Sequence, residues 1–225
     1  MRYLLLIAGR SRAPLPAVAA GLFALLGIYA YRPNEIGETW ALTALLCAVL
    51  AAWLIGALMD GEPRPQADMT VAALGGRGRR DRLDWMLVAA VAAGLTVVFL
   101  GFPLALTLVL SDPPVFGHPV GAGDLACGVL AHLSCAALGG AVAVLFAPPR
   151  VRRRATAIAA VLAALLVCVA ISGPLGGAGG PIAVAEVMYD EAGAVDGALL
   201  LACASCLAAT AAALSAAAWW GRRSG

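Results

Sequence analysis

Residues 85–111 read WMLVAAVAAGLTVVFLGFPLALTLVLS, without a single charged side chain, and run directly on from the strongly basic stretch GGRGRRDRLD at residues 75–84. A helix needs about 20 apolar residues to cross about 30 Å of hydrocarbon, so this run is long enough to span a bilayer, and the arginines before it mark the face from which it starts. The same test applied outward finds five further charge-free runs, Ala13–Tyr31, Thr39–Met59, Leu125–Pro149, Ala155–Ala185 and Gly197–Gly221, each of 19 residues or more. Ser172-Gly173-Pro174 ends the helix in the fifth run, because proline disfavours a helical conformation in the residue before it. The fold class expected is therefore an all-α integral membrane protein with six transmembrane helices, at about 13–31, 39–59, 85–111, 125–147, 155–173 and 197–220.

Composition agrees. Of 225 residues, 62% are hydrophobic and only 12% charged, against about 25% charged in soluble domains; mean hydropathy is +0.92. Such a balance excludes a soluble globular domain and excludes disorder. All 15 basic residues are arginine. Without lysine there is no Walker A loop and no Schiff-base chemistry, so the chain is not its own ATPase. A net charge of +2 gives no reason to expect nucleic acid as a partner.

The arginines set the orientation, because basic loops resist translocation. Arg2, Arg10 and Arg12 precede the first span; Arg64, Arg77, Arg79, Arg80 and Arg82 follow the second; Arg150, Arg152, Arg153 and Arg154 follow the fourth; Arg222 and Arg223 close the chain. Only Arg32 falls on the other side, where the connections carry Glu35, Glu38, Asp112, Glu186, Asp190, Glu191 and Asp196 instead. Both termini are thus expected in the cytoplasm of a multi-pass plasma-membrane protein, with residues 1–12 as an N-terminal interfacial segment, 13–221 as one membrane domain and 222–225 as a tail. The short apolar run Tyr3–Gly9 is too brief for a cleaved signal peptide; it reads either as an interfacial helix or as a frayed basic leader. Tyr29, Tyr31, Trp40, Trp85, Trp219 and Trp220 fall near span ends, at the depth where amphipathic rings settle among headgroups.

Chemistry-bearing residues are sparse. His118 lies in the connection before the fourth span and His132 within that span, with Ser134 and Cys135 near it in sequence and no carboxylate partner in the same span. An intramembrane histidine is a functional candidate, and hydrogen-bonded helix packing is the alternative. The six cysteines, Cys47, Cys127, Cys135, Cys168, Cys203 and Cys206, all lie in spans, which excludes an extracellular disulfide framework. Cys203-Ala-Ser-Cys206 admits two readings, a membrane thiol oxidoreductase or small-residue packing. Gly128, Gly139 and Gly140 in the fourth span let a neighbouring helix approach closely. No span combines nucleophile, base and orienting group, and no metal or cofactor set is present, so catalysis is not expected of this chain.

The connection DGEPRPQADMTVAALGGRGRRDRLD, residues 60–84, is more than a tether. Asp68 is placed to cap a short helix running through Met69, Thr70, Val71, Ala72, Ala73 and Leu74, and Gly75-Gly76 to stop it. An apolar surface on a helix too short to span should dock on a partner. Arg77, Arg79, Arg80 and Arg82, like Arg150, Arg152, Arg153 and Arg154, are placed to meet anionic lipid.

The ordered combination of a basic N-terminal segment, six spans, ADMTVAALGGRGRRDRL after the second span, the arginine cluster at 150–154 and a Gly-rich segment before the sixth span resembles the small permease subunits of ATP-binding-cassette exporters of the type 2 (ABCG-like) class, in their actinobacterial form. The resemblance covers nearly the whole chain; the short Arg32–Glu38 connection leaves no room for the outer domain of larger relatives. It implies that Asp68–Leu74 is a coupling helix contacting a separate ATPase subunit, which would hold ATP and Mg, and that the permease works as a homodimer or a heterodimer with a similar permease. It also implies that residues 176–196 form an outer re-entrant segment whose apolar surface includes Ile182, Val184, Val187 and Met188. The activity implied is outward movement of an apolar or amphipathic drug, antibiotic or lipid-like compound. A non-transporting membrane scaffold or regulator shares the topology and is the other alternative.

Overall fold

The computed structural model describes residues 12, 14–30, 35–60, 64–109, 116, 119–147, 159–161, 163–164, 180–190 and 195–223. Their elements are α1 (Leu15–Ala30), α2 (Ile36–Asp60), α3 (Arg64–Ala73), α4 (Arg77–Val109), α5 (Ala122–Phe146), α6 (Gly180–Asp190) and α7 (Gly197–Arg223), with no strand among the described residues. Four of these, α2, α4, α5 and α7, are long and apolar enough to cross a membrane. The helix in the first predicted span, α1, has 16 residues and rises about 24 Å, short of a full crossing. The fifth predicted span lies outside the described residues except for helical backbone at 159–161 and 163–164, as do residues 1–11 and Arg150, Arg152, Arg153 and Arg154.

The centre of the bundle is α5, which packs against α2, α4, α6 and α7. Small residues make this possible. A Cβ at Gly139 would lie 1.9 Å from the Ala48 carbonyl oxygen, and one at Gly128 would lie 2.6 Å from the Trp40 ring. In lipid there is no hydrophobic drive between helices, so such close backbone approach supplies the dispersion contact that holds them. Gly139 sets the α2–α5 crossing on backbone, while Gly140 faces the movable end of Ile55.

Helix α4 begins eight residues before the apolar run, because Arg77–Asp84 continues the helix with an i,i+4 pair, Arg80 Nε to Asp84 Oδ1 at 3.4 Å. Its 33 residues rise about 50 Å, so the arginine-bearing turns project beyond a hydrocarbon core of about 30 Å. Helix starts at the opposite end are capped by aspartates. Asp196 Oδ1 accepts from Leu199 N at 2.8 Å at the start of α7, and Asp124 Oδ2 accepts from Gly121 N at 2.7 Å at the start of α5, satisfying donors that have no intrahelical partner.

The aromatic residues divide. Trp85, Trp219 and Trp220 are exposed near helix ends, where interfacial rings belong. Trp40 and Tyr29, expected in the same role, are instead buried inside the bundle. Phe116, from the connection before α5, lies edge-on to both rings, with centroids 6.0 Å from Tyr29 and 6.2 Å from Trp40. That offset edge-to-face geometry is favourable and turns the two rings inward.

Candidate functional site

The segment joining α2 to α4 forms a helix of its own. Here α3 begins at Arg64, four residues ahead of the expected cap, so Asp68 lies inside the helix rather than at its N-cap. The physical reason is Pro65, the second residue of α3: at the start of a helix its missing N–H costs nothing and its fixed φ suits the turn. The stop falls where expected. Gly76 N donates to Val71 O and Gly75 N to Ala72 O, both at 3.0 Å, the paired bonds of a Schellman motif. Gly75 has φ +76° and Gly76 φ +132°, conformations that side chains resist.

Among the described residues α3 packs lightly, on α4. Met69 is 71% exposed, Ala72 and Ala73 are exposed, and Thr70, Val71 and Leu74 are half-buried. A helix between two membrane-length helices thus presents apolar side chains to its surroundings.

Around α3 the arginines are engaged within the chain. Arg79 Nη1 donates to Leu74 O at 2.9 Å, closing the end of α3. Arg77 Nη1 donates to Gly221 O, placing a cation on the last carbonyls of α7, where the helix dipole is negative. Arg223 lies 4.0 Å over the Trp219 ring, a cation–π contact. Arg80 pairs with Asp84, and Arg82 is exposed. The first turns of α4, the end of α3 and the end of α7 are therefore tied into one basic face.

Inside the bundle, His132 has the partner that its own span does not supply. Its Nε2 lies 2.9 Å from Thr43 Oγ1 of α2, and its Nδ1 lies 2.7 Å from Gly128 O. The carbonyl can only accept, so Nδ1 carries the proton and Nε2 accepts from the threonine hydroxyl. Trp40 and Phe99 flank the ring, with centroids 6.5 and 6.4 Å away. Sequence could not find Thr43, which lies 89 residues away.

Cys47, Cys127, Cys135, Cys203 and Cys206 are buried thiols, with no disulfide among them; Cys168 and His118 lie outside the described residues. Both members of the C-x-x-C pair face α5, Cys206 at the Cys135 thiol and Cys203 at Ser134. Among the described residues no group of three or more His, Cys, Asp or Glu side chains is placed to hold a metal. In α6, Ala183, Val184 and Met188 are buried and Ile182 and Val187 half-buried, with the helix packed on α2, α5 and α7. Its apolar residues therefore face into the bundle.

Comparison of the chain with protein-family models, with curated proteins and with solved structures finds no match. Its class is accordingly defined by its own fold: the described residues are all-helical in their regular structure and include four apolar helices of membrane-spanning length.

Proposed function

We propose that this chain is the permease subunit of an ATP-binding-cassette exporter, with six spans, both termini cytoplasmic, and a separate ATPase subunit supplying the energy. The observation that carries the reading is α3: a ten-residue helix between two membrane-length helices, closed by a two-glycine turn and lightly packed, with Met69 exposed. A helix of this kind suits a groove on a partner that pushes it. Its connection through Arg79 to the end of α3, and through Arg77 to α7, gives such a push a route into the bundle.

In this reading two copies, or this chain and a similar permease, assemble over two ATPases that hold ATP and Mg. Closure of the ATPases drives α3 and tilts the bundles between two packings. The span interiors carry almost no ionisable side chain, which suits an apolar or amphipathic cargo such as a drug or lipid-like compound, because a charge would be costly to bury unpaired. Helix α6 would sit in the outer re-entrant position, and Arg82 with the cluster at Arg150–Arg154 would meet anionic lipid.

The test is mild-detergent affinity purification of the tagged chain from its host, with copurifying proteins identified by mass spectrometry. A stoichiometric Walker-A-containing subunit is expected, lost in Met69→Arg or Ala72→Asp while the permease itself is recovered in the same yield. Recovery of the chain without any ATPase would overturn the proposal.

A further inference from the structure

The five described cysteines converge in the bundle. Cys135 of α5 has Cys47 of α2 and Cys203 and Cys206 of α7 as neighbours, and Cys203 also has Cys127 of α5. Within this group Cys135 and Cys206 form a joint. Their thiols are in hydrogen-bond contact across the α5–α7 interface, and Cys135 Sγ lies 4.0 Å from Pro181 O at the start of α6. Three helices therefore meet at one sulfur. The adjacent contact, Ser134 with Cys203, holds α5 and α7 in the same register.

Helix geometry decides which of these thiols can join. Cys203 and Cys206 both lie in the interior of α7, where Cβ atoms three residues apart stand about 5–6 Å from each other, whereas a disulfide needs about 3.5–4.5 Å. Closing the C-x-x-C pair would break a helical turn. Cys135 and Cys206 belong to separate helices and already touch, so a bond between them costs no helical hydrogen bond. Both are fully buried, but they lie only one helix deep, because Ala204 and Leu207, the residues that follow Cys203 and Cys206, are exposed. An ionic oxidant would have to shed its hydration to reach this depth. Hydrogen peroxide is small and uncharged and crosses bilayers.

We propose that Cys135 and Cys206 are a peroxide-sensitive lock, closing to a disulfide that joins α5 to α7. In the first step one sulfur attacks hydrogen peroxide: an S–O bond forms, the O–O bond breaks, and one water leaves with the thiol proton. In the second, the other thiol attacks the resulting sulfenic sulfur: the S–S bond forms, the S–O bond breaks, and a second water carries off the remaining proton. The two thiols together give up two electrons, and the peroxide is reduced to two waters. With α6 resting against Cys135, the bond fixes the three-helix joint. The lock needs only the bundle and stands whether or not an ATPase docks on α3.

The experiment treats the full chain in phosphatidylcholine vesicles with a slight molar excess of hydrogen peroxide and quenches with catalase. The protein is then denatured, alkylated with N-ethylmaleimide, digested with chymotrypsin and read by mass spectrometry. Of the six thiols of the chain, two should be lost, recovered as a peptide containing Cys135 joined to one containing Cys206, and restored by a phosphine reductant. Cys203→Ala should keep that link and Cys206→Ala should abolish it. The midpoint of thermal unfolding should rise by several degrees on oxidation of the unaltered chain, since the cross-link restricts the unfolded state, and should not move in peroxide-treated Cys206→Ala. Absence of the linked peptide, a Cys203–Cys206 link in its place, or a link formed without any shift in the midpoint would each overturn the proposal.

Discussion

His132 of α5 accepts a hydrogen bond at Nε2 from the Thr43 hydroxyl of α2 across 2.9 Å, at a position with no exposure to the surroundings. The two helices also meet at Gly139 and Ala48, so one interface combines close backbone packing with one polar tie.

The polar tie has a measurable coupling. Thr43→Val and His132→Leu, singly and together, should give a double-mutant interaction energy of about 1 kcal/mol in reversible unfolding of the reconstituted chain. Strict additivity would show that the pair is a neighbour contact without energetic consequence.

Gly139→Ala drives a methyl onto the Ala48 carbonyl oxygen, 1.9 Å from the position of the new Cβ, and neither backbone can yield alone. A loss of at least about 2 kcal/mol is expected. Gly94→Ala, with open space around it, should instead gain up to about 1 kcal/mol from helix propensity. Equal melting temperatures for the two variants would contradict the packing described for α2 and α5.

At Gly75 the backbone has φ +76°, and an alanine there pays roughly 1–2 kcal/mol for the left-handed conformation. Gly75→Ala should therefore loosen the end of α3 and speed amide exchange across residues 70–76, leaving exchange within α5 unchanged. The measurement is hydrogen exchange read by mass spectrometry, and unaltered protection over that segment is the adverse result.

Orientation is open to a reporter assay. With the arginine-bearing end in the cytoplasm, a fluorescent protein fused after Gly225 should be bright and alkaline phosphatase fused at the same point inactive. The opposite pattern would reverse the topology and remove α3 from reach of a cytoplasmic ATPase.

Much of the fold was legible in local sequence. Charge-free runs give the positions of α2, α4, α5 and α7 to within a few residues, save that α4 starts early, because arginine is a good helix former and the Arg80–Asp84 pair supports the turn ahead of the apolar run. The Gly75-Gly76 stop was legible for the same kind of reason: a positive φ is a property of single residues. The start of α3 was not, because both Asp68 and Pro65 offer a plausible helix start and only the backbone decides between them.

By itself the sequence determined what the chain is made to sit in: long uncharged segments with clusters of arginine between them follow from composition and spacing, which are local quantities. Tertiary structure decided which of those segments touch and which side chains face inward. Thr43 meets His132, Tyr29 and Trp40 turn into the bundle against Phe116, and Cys206 finds Cys135, since each contact joins residues from different parts of the chain. In an almost uniformly apolar chain hydrophobic periodicity cannot distinguish a face turned to lipid from one turned to protein, and the choice falls to steric fit at a few glycines and to the few polar groups that must find one another.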